Sequence, residues 1–261
     1  MKYVLPKHLI SAGISALGLT FAIQAPAALV GVDNVHGATA NSILASGSQF
    51  DSFRATLIAA GHTIVPLNSF SAASLSGLDT VILATGYTGN IYSASDRAAI
   101  QSFTQGAVFT SDKSMFSDNG EGADTPITFG GNQQLLRNIV DYLDAGHGTL
   151  FIGEDGGLFD IGNFNSLVSP YGVQYAASPT DGDGRTVTGF VGHPITAGIA
   201  TLGVDFQMPM TVNSPSLDLT TGGGQDNILA VFPFVAIPEP ATMLFGWAML
   251  GVVALRRNSR G

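Results

Sequence analysis

Cysteine is missing from the 261-residue chain. That absence excludes a disulfide framework, a thiolate metal site and a cysteine nucleophile. Charge is sparse too, at 11% of residues, and basic charge is sparser still, with ten Lys and Arg against nineteen Asp and Glu. Half of the ten lie at the extremities, as Lys2, Lys7, Arg256, Arg257 and Arg260. Only Arg54, Arg97, Lys113, Arg137 and Arg185 remain between. A segment so poor in cations cannot build the basic patch that phosphate backbones require, so nucleic acid is not expected as a partner. What is abundant is apolar side chain (45%) and glycine (33 residues), the balance of a packed domain rather than a disordered one. The acidic surface then serves solubility or cation binding.

The two ends differ from the middle. Lys2, Lys7 and His8 give a basic start, Leu9 to Ile23 an apolar run, and Ala25-Pro26-Ala27 a small-x-small site. Residues 1–27 therefore read as a signal peptide cleaved after Ala27, and the chain is expected to be exported. Near the other end, Ile237-Pro238-Glu239-Pro240 precedes an apolar run from Ala241 to Leu255 and the pair Arg256-Arg257. That run is short for a bilayer core, which takes roughly 20 helical residues. The arginines would hold it with its end on the cytoplasmic side.

The order Pro238-Glu239-Pro240, an apolar segment containing Gly246 and Gly251, then Arg256-Arg257, resembles the PEP-CTERM sorting domain over residues 236–257. The resemblance implies a Gram-negative bacterium that makes exopolysaccharide. It also implies an exosortase-type protease that acts near Pro238–Pro240, as a partner beside the export machinery. The expected location is the inner membrane in transit, then the cell surface or matrix.

Residues 28–235 alternate strand-like and helix-like stretches. Ala28–Asn34, Thr80–Thr85 and Thr149–Gly153 read as buried strands, His62–Leu67 as a β-rich run and Ala107–Ser111 as a further strand. Phe50–Ala60, Ser71–Leu78, Ser95–Thr104, Gln133–Ala145 and Asn165–Tyr171 read as helices, with Ser93 or Ser95 capping the third and Gly61, Gly146 and Gly172 as stops. Continuous apolar strands alternating with helices predict an α/β fold with a doubly wound, mostly parallel, flavodoxin-like sheet. Beyond residue 175 the pattern weakens. Val187–Val191, Phe206–Val212 and Ile228–Val235 read as strands that extend an edge. Gln105–Gly130 reads as an insertion that leaves the strand order after it open.

Ligands of such sheets bind beyond the carboxyl ends of the strands. The residues expected there are Asp33, Asn34 and His36 after the first strand, Thr85, Gly86 and Tyr87 after the third, Asp112 after the fourth, and Glu154 and Asp155 after the fifth. His193 follows a later apolar run. Asp33, His36, Glu154, Asp155 and His193 form the candidate ligand or metal site, because imidazole and carboxylate together suit a divalent metal of the zinc, iron or manganese kind. The alternative for Asp33 is a loop cap that accepts backbone amides, with His36 exposed beside it. Glu154-Asp155 is either a general-base pair or a charged loop. His193, held extended by Pro194, is either structural or ligand-facing. Asp181-Gly182-Asp183-Gly184 lacks the bidentate glutamate of a calcium loop and reads as a turn.

The segments Val32-Asp33-Asn34-Val35-His36-Gly37, Gly146–Asp155 and Gly192–Ile199 are similar to the class I glutamine amidotransferase-like superfamily in its exported branches that lack amidotransferase activity. The resemblance implies the flavodoxin-like fold and does not carry the activity. The amidotransferase cysteine has no counterpart in Thr85-Gly86-Tyr87, and no Gly-x-Ser-x-Gly elbow replaces it. A non-catalytic, surface- or matrix-associated protein that binds carbohydrate or scaffolds exopolysaccharide is the expected function. A metal-assisted hydrolase is the alternative.

Overall fold

The computed structural model of the chain describes residues 27–36, 43–48, 50–84, 91–110, 116–118, 127–144, 148–153, 160–176, 185–204, 208–223 and 227–233. The first half alternates strand and helix in the order β1 (Leu29–Asp33), α1 (Asp51–Ala59), β2 (Thr63–Leu67), α2 (Ala72–Leu75), β3 (Thr80–Ala84), α3 (Ala94–Gln101) and β4 (Ala107–Thr110). Then come α4 (Asn132–Asp144), β5 (Gly148–Ile152) and α5 (Ile161–Val168). Six short strands follow: β6 (Val173–Tyr175), β7 (Arg185–Thr188), β8 (Thr201–Val204), β9 (Met210–Val212), β10 (Leu217–Asp218) and β11 (Leu229–Pro233). The central sheet has seven strands in the order β10-β11-β5-β4-β3-β1-β2. Strands β1 to β5 pair in parallel, in the 2-1-3-4-5 order of flavodoxin-like sheets. The chain is thus an α/β protein with a large, mostly parallel sheet.

Pleating divides the core in two, because successive residues of a strand face opposite sides. Val30, Val32, Ile82, Val108, Leu150 and Ile152 pack on one side with Phe53 and Leu57 of α1 and with Leu135, Leu136, Ile139 and Val140 of α4. Val81, Leu83, Phe109 and Phe151 pack on the other with Leu75 of α2, Ile100 of α3 and Phe164 and Leu167 of α5. There Phe109 and Phe151, neighbours on β4 and β5, stack with centroids 5.0 Å apart and planes 4° apart.

Helix ends follow local chemistry. Ser93 caps α3: its side chain accepts from Asp96 N, and the Asp96 carboxylate accepts from Ser93 N. Ser95 is inside the helix. Gly61, at φ 94°, turns the chain out of α1 toward β2. The helix expected at Asn165–Tyr171 starts earlier, at Ile161 behind the Asp160 cap, and Ser169–Tyr171 continues it as a 3-10 turn that ends at left-handed Gly172.

The second half corrects the edge extension. Only β11, with β10 beside it, joins the central sheet, pairing antiparallel with β5. The strands within Val187–Val191 and Phe206–Val212 leave it: β7 pairs with β8, and β9 with β6, as two separate antiparallel ribbons. The stretch read as an insertion contributes to the core. Phe116 is fully buried against Phe53, centroids 5.2 Å apart, and Gly131 N donates to Thr201 O, tying the start of α4 to β8.

Candidate functional site

In a 2-1-3-4-5 sheet the crossovers diverge between β1 and β3, and the carboxyl ends of those two strands define the crevice where ligands bind. Asp33 is the last residue of β1, on the face shared with α2 and α3. Its side chain is 1% exposed, and an unpaired charge buried there would be strongly unfavourable. Oδ1 accepts from Val35 N at 2.9 Å and from His36 N at 3.1 Å. The His36 Nδ1 lies 3.1 Å from Oδ1 and 2.9 Å from Oδ2, and the Tyr92 hydroxyl donates to Oδ2 at 2.7 Å. The loop-cap role expected for Asp33 is therefore present, and two side chains are added to it.

His36 departs from expectation. It is 2% exposed rather than a surface residue, since its ring stacks on Tyr92 at 3.8 Å between centroids and meets Phe70 at 5.2 Å. Tyr92 directly precedes the Ser93 cap of α3. Its backbone is held from α5 and α3: Tyr92 N donates to Asn163 Oδ1, Asn163 Nδ2 donates to Tyr92 O, and Arg97 Nη1 of α3 donates to the same carbonyl. Burial first, and the Asp33 carboxylate second, push the Tyr92 phenol well above its ordinary pKa, so it stays a neutral donor. Asn34 Nδ2 bonds Asn68 Oδ1 across the tips of β1 and β2.

His193 belongs elsewhere. Its Nδ1 accepts from Ile195 N at 3.2 Å, capping the 3-10 turn Pro194–Thr196, and its ring meets Tyr142 near the end of α4 at 5.3 Å. α4 leads into the amino end of β5, so His193 sits toward the edge of the sheet opposite Asp33. Glu154 and Asp155 lie outside the described residues, as do Thr85, Gly86, Tyr87, Asp112, Asp181–Gly184 and the segment with Pro238, Glu239, Pro240, Arg256 and Arg257. The strand before Glu154, β5, is three inter-strand steps from β1, about 14 Å at ~4.8 Å per step. Among the described residues no group of three or more His, Asp and Glu side chains is placed to hold a metal ion. Three of the five candidate residues are described. Asp33 and His36 are brought together, and His193 is separated from them.

At the amino edge, an open groove of about 370 Å³ runs between Leu75–Asp79 and Ala99–Gln105. There too His62 is buried and its Nδ1 accepts from Ala28 N at 3.2 Å, fastening the start of β1.

The site and sheet define a doubly wound α/β protein with a buried Asp–His–Tyr cluster at its switch point. No family model matches the chain, and no curated protein does. Among solved structures it is similar to the mmIFT52 N-terminal domain, with a TM-score of 0.45 and 12% identity over 78% of this chain and 85% of that one. That likeness is too distant to assign any role.

Proposed function

We propose that the chain is an exported, non-catalytic α/β protein of the cell surface or extracellular matrix, delivered by an N-terminal signal and sorted by its PEP-CTERM-like tail. Binding of carbohydrate, or scaffolding of exopolysaccharide, is its role there. The observation that carries the address is the sequence of the tail: Pro238-Glu239-Pro240, a mostly apolar stretch of fifteen residues from Ala241 to Leu255, then Arg256-Arg257. The non-catalytic part is supported by the state of Asp33, whose two oxygens are already engaged by backbone and side-chain donors. No helix among the described residues is long and apolar enough to cross a membrane, and the tail lies outside them.

The test is expression of the full chain in a Gram-negative host with and without an exosortase, followed by intact mass of the exported product. The expected product begins at Ala28 in both hosts and loses its C-terminus near Pro238–Pro240 only when the exosortase is present. A chain that stays in the cytoplasm unprocessed in both hosts refutes the reading.

A metal-assisted hydrolase that uses Asp33, His36, Glu154, Asp155 and His193 is the second reading. One observation favours it: the carboxylate–imidazole pair has the orientation found behind metal-bound histidines. Stoichiometric metal in the purified full chain, lost in Asp33→Ala, His36→Ala and His193→Ala, would support it. Metal retained after His193→Ala but lost after His36→Ala would shrink the site to the switch point.

A further inference from the structure

Asp33 is an acceptor on every side, and that fixes what His36 must be. Val35 N, His36 N and the Tyr92 hydroxyl all donate to the carboxylate. A carboxylate oxygen takes a proton from the ring nitrogen that faces it, so in the neutral imidazole Nδ1 carries the proton and Nε2 is the bare lone pair. The ring cannot turn away from this arrangement easily. It lies stacked on Tyr92 and tilted against Phe70, and Tyr92 is itself bonded to the same carboxylate.

Nε2 has no hydrogen-bond partner among the described residues, although the His36 side chain is only 3% exposed. Buried polar atoms are nearly always satisfied, and an exception calls for an explanation. This one lies at the carboxyl end of β1, where such sheets take their ligands. The residues flanking the cluster in sequence, Val35 and Ile91, are large apolar side chains 40% and 48% exposed.

From these facts we infer that His36 is a ligand-binding residue of the switch point, accepting a hydrogen bond at Nε2 from a neutral hydroxyl-bearing small molecule. Asp33 is its positioning residue, holding the proton on Nδ1. An anion is disfavoured, because it would bring charge toward the Asp33 carboxylate and offer the lone pair no proton. A metal ion would need further ligands beside His36, and a neutral hydroxyl needs only the lone pair. The inference goes beyond the address given by the tail and stands whether or not the tail is processed, so failure of one leaves the other standing.

The experiment uses the full chain with ¹⁵N-labelled histidine. Two-bond nitrogen–proton correlation spectra at neutral pH report the tautomer of each of the five histidines. The His36 signals are assigned by their loss in His36→Gln. Protonated Nδ1 and bare Nε2 are expected at His36. Titration with methanol, the smallest neutral hydroxyl probe, should move the His36 Nε2 resonance upfield to saturation and leave the other four histidines unmoved. Sodium acetate should produce no saturable shift. Asp33→Asn, whose amide can face either ring tautomer, should give mixed tautomers and a weakened methanol response. Tyr92→Phe keeps the stacked ring and should preserve both, and it serves if Asp33→Asn fails to fold. A His36 with its proton on Nε2, or a bare Nε2 that does not respond saturably to methanol, overturns the inference.

Discussion

Tyr92→Phe isolates one bond. The substitution keeps the ring that stacks on His36 at 3.8 Å and removes only the hydroxyl that donates 2.7 Å to Asp33 Oδ2. That oxygen then keeps His36 Nδ1 alone, at 2.9 Å. No cavity larger than an oxygen atom is opened, so the cost is the loss of a hydrogen bond to a buried charge, about 2 kcal/mol. For a domain on the order of 200 residues, 1 kcal/mol moves Tm by about 2–4 °C, so the midpoint should fall by about 4–8 °C. Urea unfolding of the full chain, followed by far-UV circular dichroism at neutral pH, measures the loss directly. The slope with denaturant should not change, because no extra surface is exposed. Tyr171→Phe is the control: its hydroxyl makes no hydrogen bond among the described residues, and it should stay within about 0.5 kcal/mol of the parent. If Tyr92→Phe is as harmless as Tyr171→Phe, the buried carboxylate does not depend on the phenol.

Alkaline stability should fall more steeply than in a protein with exposed phenols. Tyr92 is raised well above 10.0, Tyr142 and Tyr171 are each raised by burial to about 12, and Tyr175 is raised further. A raised folded-state pKa leaves its stabilisation intact below 10.0 and removes it as pH climbs from there toward the folded value, because only the unfolded chain ionises. Each such tyrosine adds about 1.4 kcal/mol per pH unit to the fall, and Tyr92→Phe should lessen the slope by that amount in pH-dependent urea unfolding. Asn132→Ala should cost about 3 kcal/mol in the same assay. The fully buried amide bonds both Gly203 N and Gly203 O at 3.0 Å, and its removal leaves both without that partner. Gly153→Ala should cost about 1–3 kcal/mol, because its Cβ would run into the Met208 carbonyl oxygen, backbone that cannot swing aside. A neutral result at Gly153 would show that the approach of residue 208 to β5 is looser than drawn.

The inner strands of the parallel half are legible because they are buried on both faces, as β3 and β5 show. A run such as Thr80–Ala84 has no polar phase to confuse with a helix, and glycines or serine caps punctuate its neighbours. The second half was less legible because its strands are short and their partners are set by distant contacts. β8, four residues long, carried no signal of its own. It is placed by Gly131 N and by the Asn132 amide, which bonds Gly203 as a neighbouring strand would. The same device recurs where Asn163 holds Tyr92 and Asn165 holds Tyr175. An asparagine that imitates a backbone looks, in sequence, like any loop asparagine.

The candidate site divides along the same line. Asp33 and His36 were found together because a three-residue spacing after a buried strand is a local feature, and a turn closed by the aspartate brings the two side chains into register. His193 joins them in sequence by the apolar run before it and by the Gly192–Ile199 resemblance, and the strand-end part of that reasoning fails once β7 and β8 leave the sheet. Tyr92 was missed because nothing local distinguishes it; its role is created by β1, 59 residues away in sequence. The carboxylate limits where a ligand can sit. One bound by Asp33 itself would have to displace donors from both oxygens, whereas one at His36 Nε2 displaces none. The geometry therefore favours a site in which Asp33 orients and His36 receives.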